Sequence, residues 1–250
     1  MRRLLRALSD ALYGGYAYLA MLLGLDALAV IGLLGLPFAL ILICLPAEVR
    51  IPLGRKLISG SLKAYLSFLK TFCSVQIDAS ALGMLRKDRP LIVVANHPSL
   101  LDAVILLADL PHAVCVMKVS LGRNILFGPM SRLSGYIGND DPMALIRQAC
   151  DELAGGSQVL IFPEGTRTQE FPVNPFGEAT AFISARSGIA VQTLLIDFSS
   201  PYLGKTWPLF KKPPLPLRIS VRLGRRFEPE QGRLALTERL ESYYRSELTR

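Results

Sequence analysis

Asn96-His97-Pro98-Ser99-Leu100-Leu101-Asp102 sets an imidazole and a carboxylate five positions apart, directly after the apolar run Leu91-Ile92-Val93-Val94-Ala95. An imidazole titrates near neutral pH, so His97 can serve as a general base. A carboxylate on its other ring nitrogen, here Asp102, would fix the tautomer and stabilise the imidazolium. Such a pair activates a weak nucleophile, for example a hydroxyl. The helix expected after the turn would also present backbone N–H groups to an anion or an oxyanion. A second polar cluster, Pro163-Glu164-Gly165-Thr166-Arg167, follows another apolar run, Val159-Leu160-Ile161-Phe162. Arg167 can grip a phosphate or carboxylate with a two-pronged fork. Gly165 admits backbone conformations that other residues resist, and its N–H is a candidate donor to an acceptor or an oxyanion. Glu164 is a candidate to orient Arg167 or to bind an acceptor hydroxyl. Asn96 and Thr166 complete the candidate binding set. The competing structural reading is a turn closed by a Glu164–Arg167 ion pair.

Other reactive side chains read as structural. No G-x-S-x-G elbow surrounds Ser99, which is expected to cap a helix. His112 follows Leu110-Pro111 without an acidic partner at useful spacing. The cysteines Cys44, Cys73, Cys115 and Cys150 have no C-x-x-C spacing. Neither a zinc site nor a disulfide framework is indicated, and free thiols fit work on the cytoplasmic side.

The elements that must position these groups follow from hydrophobic patterning. Strands are predicted at 74–78, 91–95, 113–117, 135–137, 158–162, 190–197 and 217–223, with helices at 99–109, 141–154 and 177–187 and a closing helix at 234–248. Ala154-Gly155-Gly156 is a helix stop before the strand at 158–162. Strands alternating with helices predict an α/β fold with a mainly parallel sheet flanked by helices. Ligands of open α/β sheets bind beyond the carboxyl ends of the strands. Both polar loops leave such ends, so one site built from the two is expected.

The chain has 250 residues and is 51% hydrophobic, and the apolar excess lies at one end. From Ala11 to Leu45 the only charge is Asp26. About 20 apolar residues can cross a bilayer. Two arrangements fit: a single span at 27–47 with Arg2, Arg3 and Arg6 kept inside, or a helical hairpin lying partly in one leaflet and breaking near Asp26 or Gly35-Leu36-Pro37. A buried core hairpin is the soluble alternative. No small-residue cleavage site follows, so the stretch is not expected to be a removed signal peptide. Residues 1–12 read as an amphipathic helix, with arginines on one side and Leu4, Leu5 and Leu8 on the other. Residues 50–70 read as a helical connector. The expected division is a membrane-attachment segment at 1–50 and an α/β domain at 51–250.

The net charge is +8, and Lys205, Lys211, Lys212, Arg218, Arg222, Arg225 and Arg226 follow one another without an acid between them. A solvated face is one reading. Attraction to anionic lipid, to an acidic carrier protein or to coenzyme A phosphates is the other. Nucleic acid is not indicated, because aromatics are not interleaved with these charges.

The two clusters together carry a family resemblance. NHPSLLD resembles the H-x4-D motif, and FPEGTR the second signature, of the lysophospholipid acyltransferases, typified by 1-acylglycerol-3-phosphate O-acyltransferases. The resemblance covers residues 70–227. It implies phospholipid biosynthesis at the cell inner membrane, on its cytoplasmic side. An acyl chain would move from an acyl thioester, on acyl carrier protein or coenzyme A, to a lyso-lipid hydroxyl. No metal or prosthetic group is implied. His97 and Asp102 would be catalytic, and Glu164, Gly165 and Arg167 the acceptor and oxyanion side. The chain departs from the pattern in three places. Asn139-Asp140-Asp141 stand where an arginine is expected to meet the acceptor phosphate. Phe176-Gly177-Glu178-Ala179 lacks the lysine of F-K-x-G, and Val191-Gln192-Thr193-Leu194-Leu195 lacks a proline. Two of these changes remove cations, which opens a second reading: a non-phosphatidate acceptor such as a lyso-aminolipid. A catalytically idle lipid-binding protein is a third, and the intact His–Asp pair argues against it.

Overall fold

A computed structural model of the protein describes residues 2–125, 127–229 and 233–249. Seven strands form one sheet in the order β1-β7-β6-β2-β5-β3-β4. Their ranges are β1 Val75–Asp78, β2 Leu91–Ala95, β3 Ala113–Met117, β4 Ile137–Gly138, β5 Gln158–Ile161, β6 Val191–Phe198 and β7 Leu217–Phe227. β6, β2, β5, β3 and β4 run parallel, and β7 runs antiparallel to β6. The predicted strands all form, within a residue or two at most ends. β7 runs on to Phe227, past the predicted end at 223, because its register against β6 continues to Val191.

The central strands carry side chains that are apolar on both faces, as a sheet covered on both sides requires. All five residues of β2 are buried. Helices cover each face. α1 (Arg2–Leu42), α2 (Ala47–Phe72) and α3 (Leu101–Asp109) lie on one, with α4 (Val119–Gly122) and α5 (Phe127–Ser134) beyond. α6 (Pro142–Ala154), α7 (Ala179–Ser187) and α8 (Arg233–Leu248) lie on the other. α4, α5 and a 3-10 turn at Ser80–Leu85 had no predicted counterpart, being too short to show a period.

The N-terminal segment differs from both expected arrangements. α1 is continuous for 41 residues through Asp26 and Pro37, and the chain reverses only at 43–46. The expected boundary at residue 50 therefore falls inside α2. α1 returns along the domain rather than leaving it. Ala17, Ala20 and Met21 are buried, and Tyr16 Oη bonds the Phe72 carbonyl at 3.2 Å and Ser74 Oγ at 2.8 Å. Further along, a side chain at Gly35 would strike Met130 of α5. α2 docks as closely. A Cβ at Gly54 would lie 2.6 Å from the Leu133 carbonyl oxygen, so only glycine lets these backbones meet. Arg55, also on α2, donates to the Ser134 carbonyl and pairs with Glu152 at 2.8 Å. On α1, Arg3, Leu5, Arg6 and Leu8 are all exposed. The side chains of Arg2 and Leu4, part of the expected amphipathic pattern, lie outside the described residues.

Candidate active site

The β2 strand ends at Ala95, and its pairing with β6 is extended by a side chain. Asn96 Oδ1 accepts from the Ile196 N–H at 2.8 Å, and its Nδ2 donates to the Ile196 carbonyl at 2.8 Å. Asn96 is buried and its amide mimics one more rung of the ladder. It was expected to bind substrate; here one N–H of its nitrogen and one lone pair of its oxygen go to Ile196.

The chain then turns, and His97 meets Asp102. His97 Nδ1 donates to Asp102 Oδ2 at 2.9 Å, and the same oxygen accepts from the Ser99 N–H at 2.8 Å. Asp102 is fully buried, whereas the His97 side chain is 17% exposed. The imidazole stacks on Phe162, centroids 4.1 Å apart. Its Nε2 has no hydrogen-bond partner among the described residues. The result is an imidazole whose Nδ1 is held, whose face is packed and whose Nε2 is free. Burial pushes the Asp102 carboxyl up to about 6, against the pull of the His97 and Ser99 hydrogen bonds.

Ser99 behaves as a turn former. Its buried Oγ donates to the Tyr202 carbonyl at 2.8 Å and accepts from the Leu101 N–H at 3.2 Å. With the Leu100 N–H given to the Leu203 carbonyl, the N–H groups of Ser99, Leu100 and Leu101 are all taken. The anion cradle expected at this helix start is therefore closed at those three positions.

The second loop serves the first. Glu164 is buried, and its Oε1 accepts from the His97 backbone N–H at 2.9 Å and from Thr168 Oγ1 at 2.8 Å. Its Oε2 accepts from the Asn174 N–H at 2.9 Å. The Thr168 N–H in turn donates to the His97 carbonyl at 2.8 Å. His97 is thus clasped on both sides of its backbone. The expected ion pair between Glu164 and Arg167 does not form; the carboxylate instead accepts from three donors of its own chain. Gly165 adopts φ +64°, as its glycine allows, but its N–H closes the turn onto the Phe162 carbonyl at 3.0 Å. The proposed donor to an oxyanion is used up there. Thr166 Oγ1 accepts from Lys205 Nζ at 3.3 Å.

Arg167 is held through one nitrogen of its fork. Its Nη1 donates to the carbonyls of Leu203 and Gly204 at 2.8 and 3.0 Å. Its Nε and Nη2 have no hydrogen-bond partner among the described residues. Part-burial pulls its pKa down, and the charge of Asp102 opposes that shift. Arg167 is therefore within electrostatic reach of the His97–Asp102 pair.

Sequence reading missed Thr168, Asn174 and the Tyr202-Leu203-Gly204 turn. Leu203 holds a left-handed φ of +55°, which aims one carbonyl at both Leu100 and Arg167. Pro201 and Gly204 marked that turn locally, but nothing local tied it to residues 99–102 or 167. His112 is part-buried on the far side of the sheet's start, where the Gln158 N–H bonds its carbonyl.

Residues 76–197 match the family model Acyltransferase. The chain is 30% identical over 129 residues to a lyso-ornithine lipid O-acyltransferase of Rhizobium meliloti, covering 47% of this chain and 44% of that one. It is 29% identical over 109 residues to a 1-acyl-sn-glycerol-3-phosphate acyltransferase of Chlamydomonas reinhardtii, covering 42% and 33%. The matched stretches thus span less than half of these relatives. The crystal structure of the 1-acyl-sn-glycerophosphate acyltransferase of Thermotoga maritima shares the fold, with a TM-score of 0.61 at 20% identity over 98% of this chain. Residues 76–197, just under half of the chain, are thus similar to the acyltransferase family.

Proposed function

We propose that the protein is a membrane-attached O-acyltransferase. It moves an acyl chain from an acyl thioester, on acyl carrier protein or coenzyme A, to the hydroxyl of a lyso-lipid. The observation that carries this reading is the free Nε2 of His97, with Nδ1 held by the buried Asp102. Nε2 takes the hydroxyl proton as the oxygen attacks the thioester carbonyl. The tetrahedral intermediate collapses, the C–S bond breaks, and the proton passes to the leaving thiolate. The unpaired N–H groups of Arg167 supply positive charge to the acceptor or the oxyanion. No metal takes part.

Membrane attachment is read from α1. Its Leu8–Leu42 portion is long and apolar enough to cross a bilayer, and most of its side chains are exposed or half-buried. The whole 41-residue α1 measures about 60 Å, twice the hydrocarbon thickness. The domain holds it at Tyr16, Met21 and Gly35. That supports a helix lying along one leaflet with α2 behind it; the domain then faces the cytoplasm at the inner membrane, as the family resemblance implies.

The acceptor has two readings. 1-Acylglycerol-3-phosphate is the one typical of the family. A zwitterionic lyso-aminolipid is favoured by the acids after β4. Asp141 is accounted for, since its Oδ1 caps α6 by accepting from the Met143 and Ala144 N–H groups. Asp140 is exposed beyond the carboxyl end of β4, where a carboxylate repels a phosphate monoester of about −1.5 to −2 charge. A competition assay with lysophosphatidic acid and a zwitterionic lyso-lipid decides. Preference for the zwitterion, shifted back by Asp140→Arg, supports the second reading. Preference for lysophosphatidic acid, lost in Arg167→Ala, refutes it.

A further inference from the structure

Between β6 and β7 the chain makes a long loop, 199–216, that contains no acid. Its tip turns apolar side chains outward: Leu209 is 51% and Phe210 68% exposed. Lysines flank the tip. Lys211 Nζ caps the Trp207 ring at 4.7 Å, and Trp207 Nε1 in turn donates to the Lys211 carbonyl at 2.8 Å. The loop is stiff, with Pro201, Pro208, Pro213, Pro214 and Pro216 in it. It is also tied to α1. Tyr13 Oη donates to the Leu215 carbonyl at 2.9 Å and accepts from the Leu215 N–H at 2.7 Å. Lys212 Nζ donates to the Gly14 carbonyl at 3.3 Å and lies over the Tyr18 ring. The base of the loop is thereby fixed to the stretch of α1 that exposes Leu12 and Leu19.

We propose that this loop is a second membrane contact: Leu209 and Phe210 enter an anionic lipid surface while Lys205, Lys211 and Lys212 meet its phosphates. Apolar tip, lysine collar and absence of acids match an interface in which hydrocarbon lies beneath negative headgroups. Rigidity limits the ordering cost of insertion. The other end of the same loop holds Ser99 and Arg167 through the carbonyls of Tyr202, Leu203 and Gly204. Lipid contact is thus made by the segment that also builds one wall of the site. The inference rests on the membrane attachment of α1 proposed above, and goes beyond it.

The chain has a single tryptophan, and it lies in this loop, so Trp207 reports the loop alone. The full chain is mixed with vesicles of phosphatidylethanolamine and phosphatidylglycerol, part of which carries brominated acyl chains. Expected are co-sedimentation, a blue shift of the Trp207 emission, and quenching by the brominated lipid. Leu209→Ser with Phe210→Ser, both exposed positions, abolishes the shift and the quenching while the circular dichroism and the co-sedimentation stay. Vesicles of phosphatidylcholine alone weaken loop insertion, by about fivefold for each lysine that reaches the phosphates. Bound protein with unshifted, unquenched Trp207 overturns the proposal and leaves attachment by α1 standing. Quenching that survives the double substitution overturns the assignment of the tip. A shift produced by an acidic carrier protein and not by vesicles makes the loop a protein contact instead. Failure to sediment at all overturns the attachment by α1 together with the loop contact.

Discussion

The turn after β2 and the turn after β5 leave the same edge of the sheet, yet they use their polar groups in opposite ways. In the first, His97 keeps a nitrogen free, and its neighbours are spent on holding it there. In the second, the Glu164 carboxylate and the Gly165 N–H bind the chain itself. Arg167 retains side-chain N–H groups with no partner among the described residues. A reactive-looking motif can thus be scaffold. What distinguishes scaffold from chemistry is whether the atom that would react has been taken by a neighbour.

Four expected outcomes test that contrast. His97→Ala removes the free nitrogen and is expected to lower the rate at least the roughly 10²–10⁴-fold typical of losing a general base. The melting temperature stays near that of the parent. If more than a tenth of the activity survives, His97 is not the base.

Asp102 is tested by pH. Its pKa is raised by burial from 3.8 to about 6, so as the pH falls through about 6 the carboxyl takes up a proton and stops accepting from Nδ1. Turnover is expected to drop on that side. The stability sign is the reverse: the folded state binds this proton more tightly, so the contribution is complete below 3.8 and is lost as the pH rises through about 6. Asp102→Asn is therefore expected to cut activity while leaving the melting temperature at neutral pH unchanged or higher. A clear loss of stability there contradicts the assigned burial cost.

Glu164→Ala is expected to do what His97→Ala does not, namely destabilise. It strips the acceptor from the His97 and Asn174 N–H groups, at about 1–3 kcal/mol for each buried donor left unmade. Activity falls with it, because the backbone of the base is released. A Glu164→Ala protein of parental stability but altered acceptor preference would put this carboxylate back at the ligand. The smallest effect is Thr168→Val. It deletes one hydroxyl bond to Glu164, so denaturant unfolding is expected to show a loss of about 0.5–1.5 kcal/mol with little change in rate.

The cationic run repeats the lesson. As a string it was one basic feature. In the fold Arg222 pairs with Asp197, Arg226 pairs with Asp88, and Arg225 lies over Phe227, all on β7. The lysines of the preceding loop meet no acid among the described residues. Alternation on a strand sent the arginines to their partners, and the proline-rich loop kept the lysines apart from them.

Hydrophobic runs and their breaks were enough to read the strands of an α/β sheet, because a strand covered on both faces must be apolar throughout. They were enough to set two loops at one edge, since parallel strands share a carboxyl end. The spacing of His97 and Asp102 was legible too, being short enough for one turn to close. The path of α1 was not. An apolar helix reads alike whether it leaves the domain or lies on it, and contacts of Tyr16 and Gly35 far along the chain decided. Nor were the duties of Asn96, Glu164 and Gly165 legible. Whether a carboxylate or an amide is free depends on which donors lie within 3 Å of it. For Asn96 those donors come from Ile196, and for Glu164 from His97 and Asn174. Such partners are brought close only when the sheet closes.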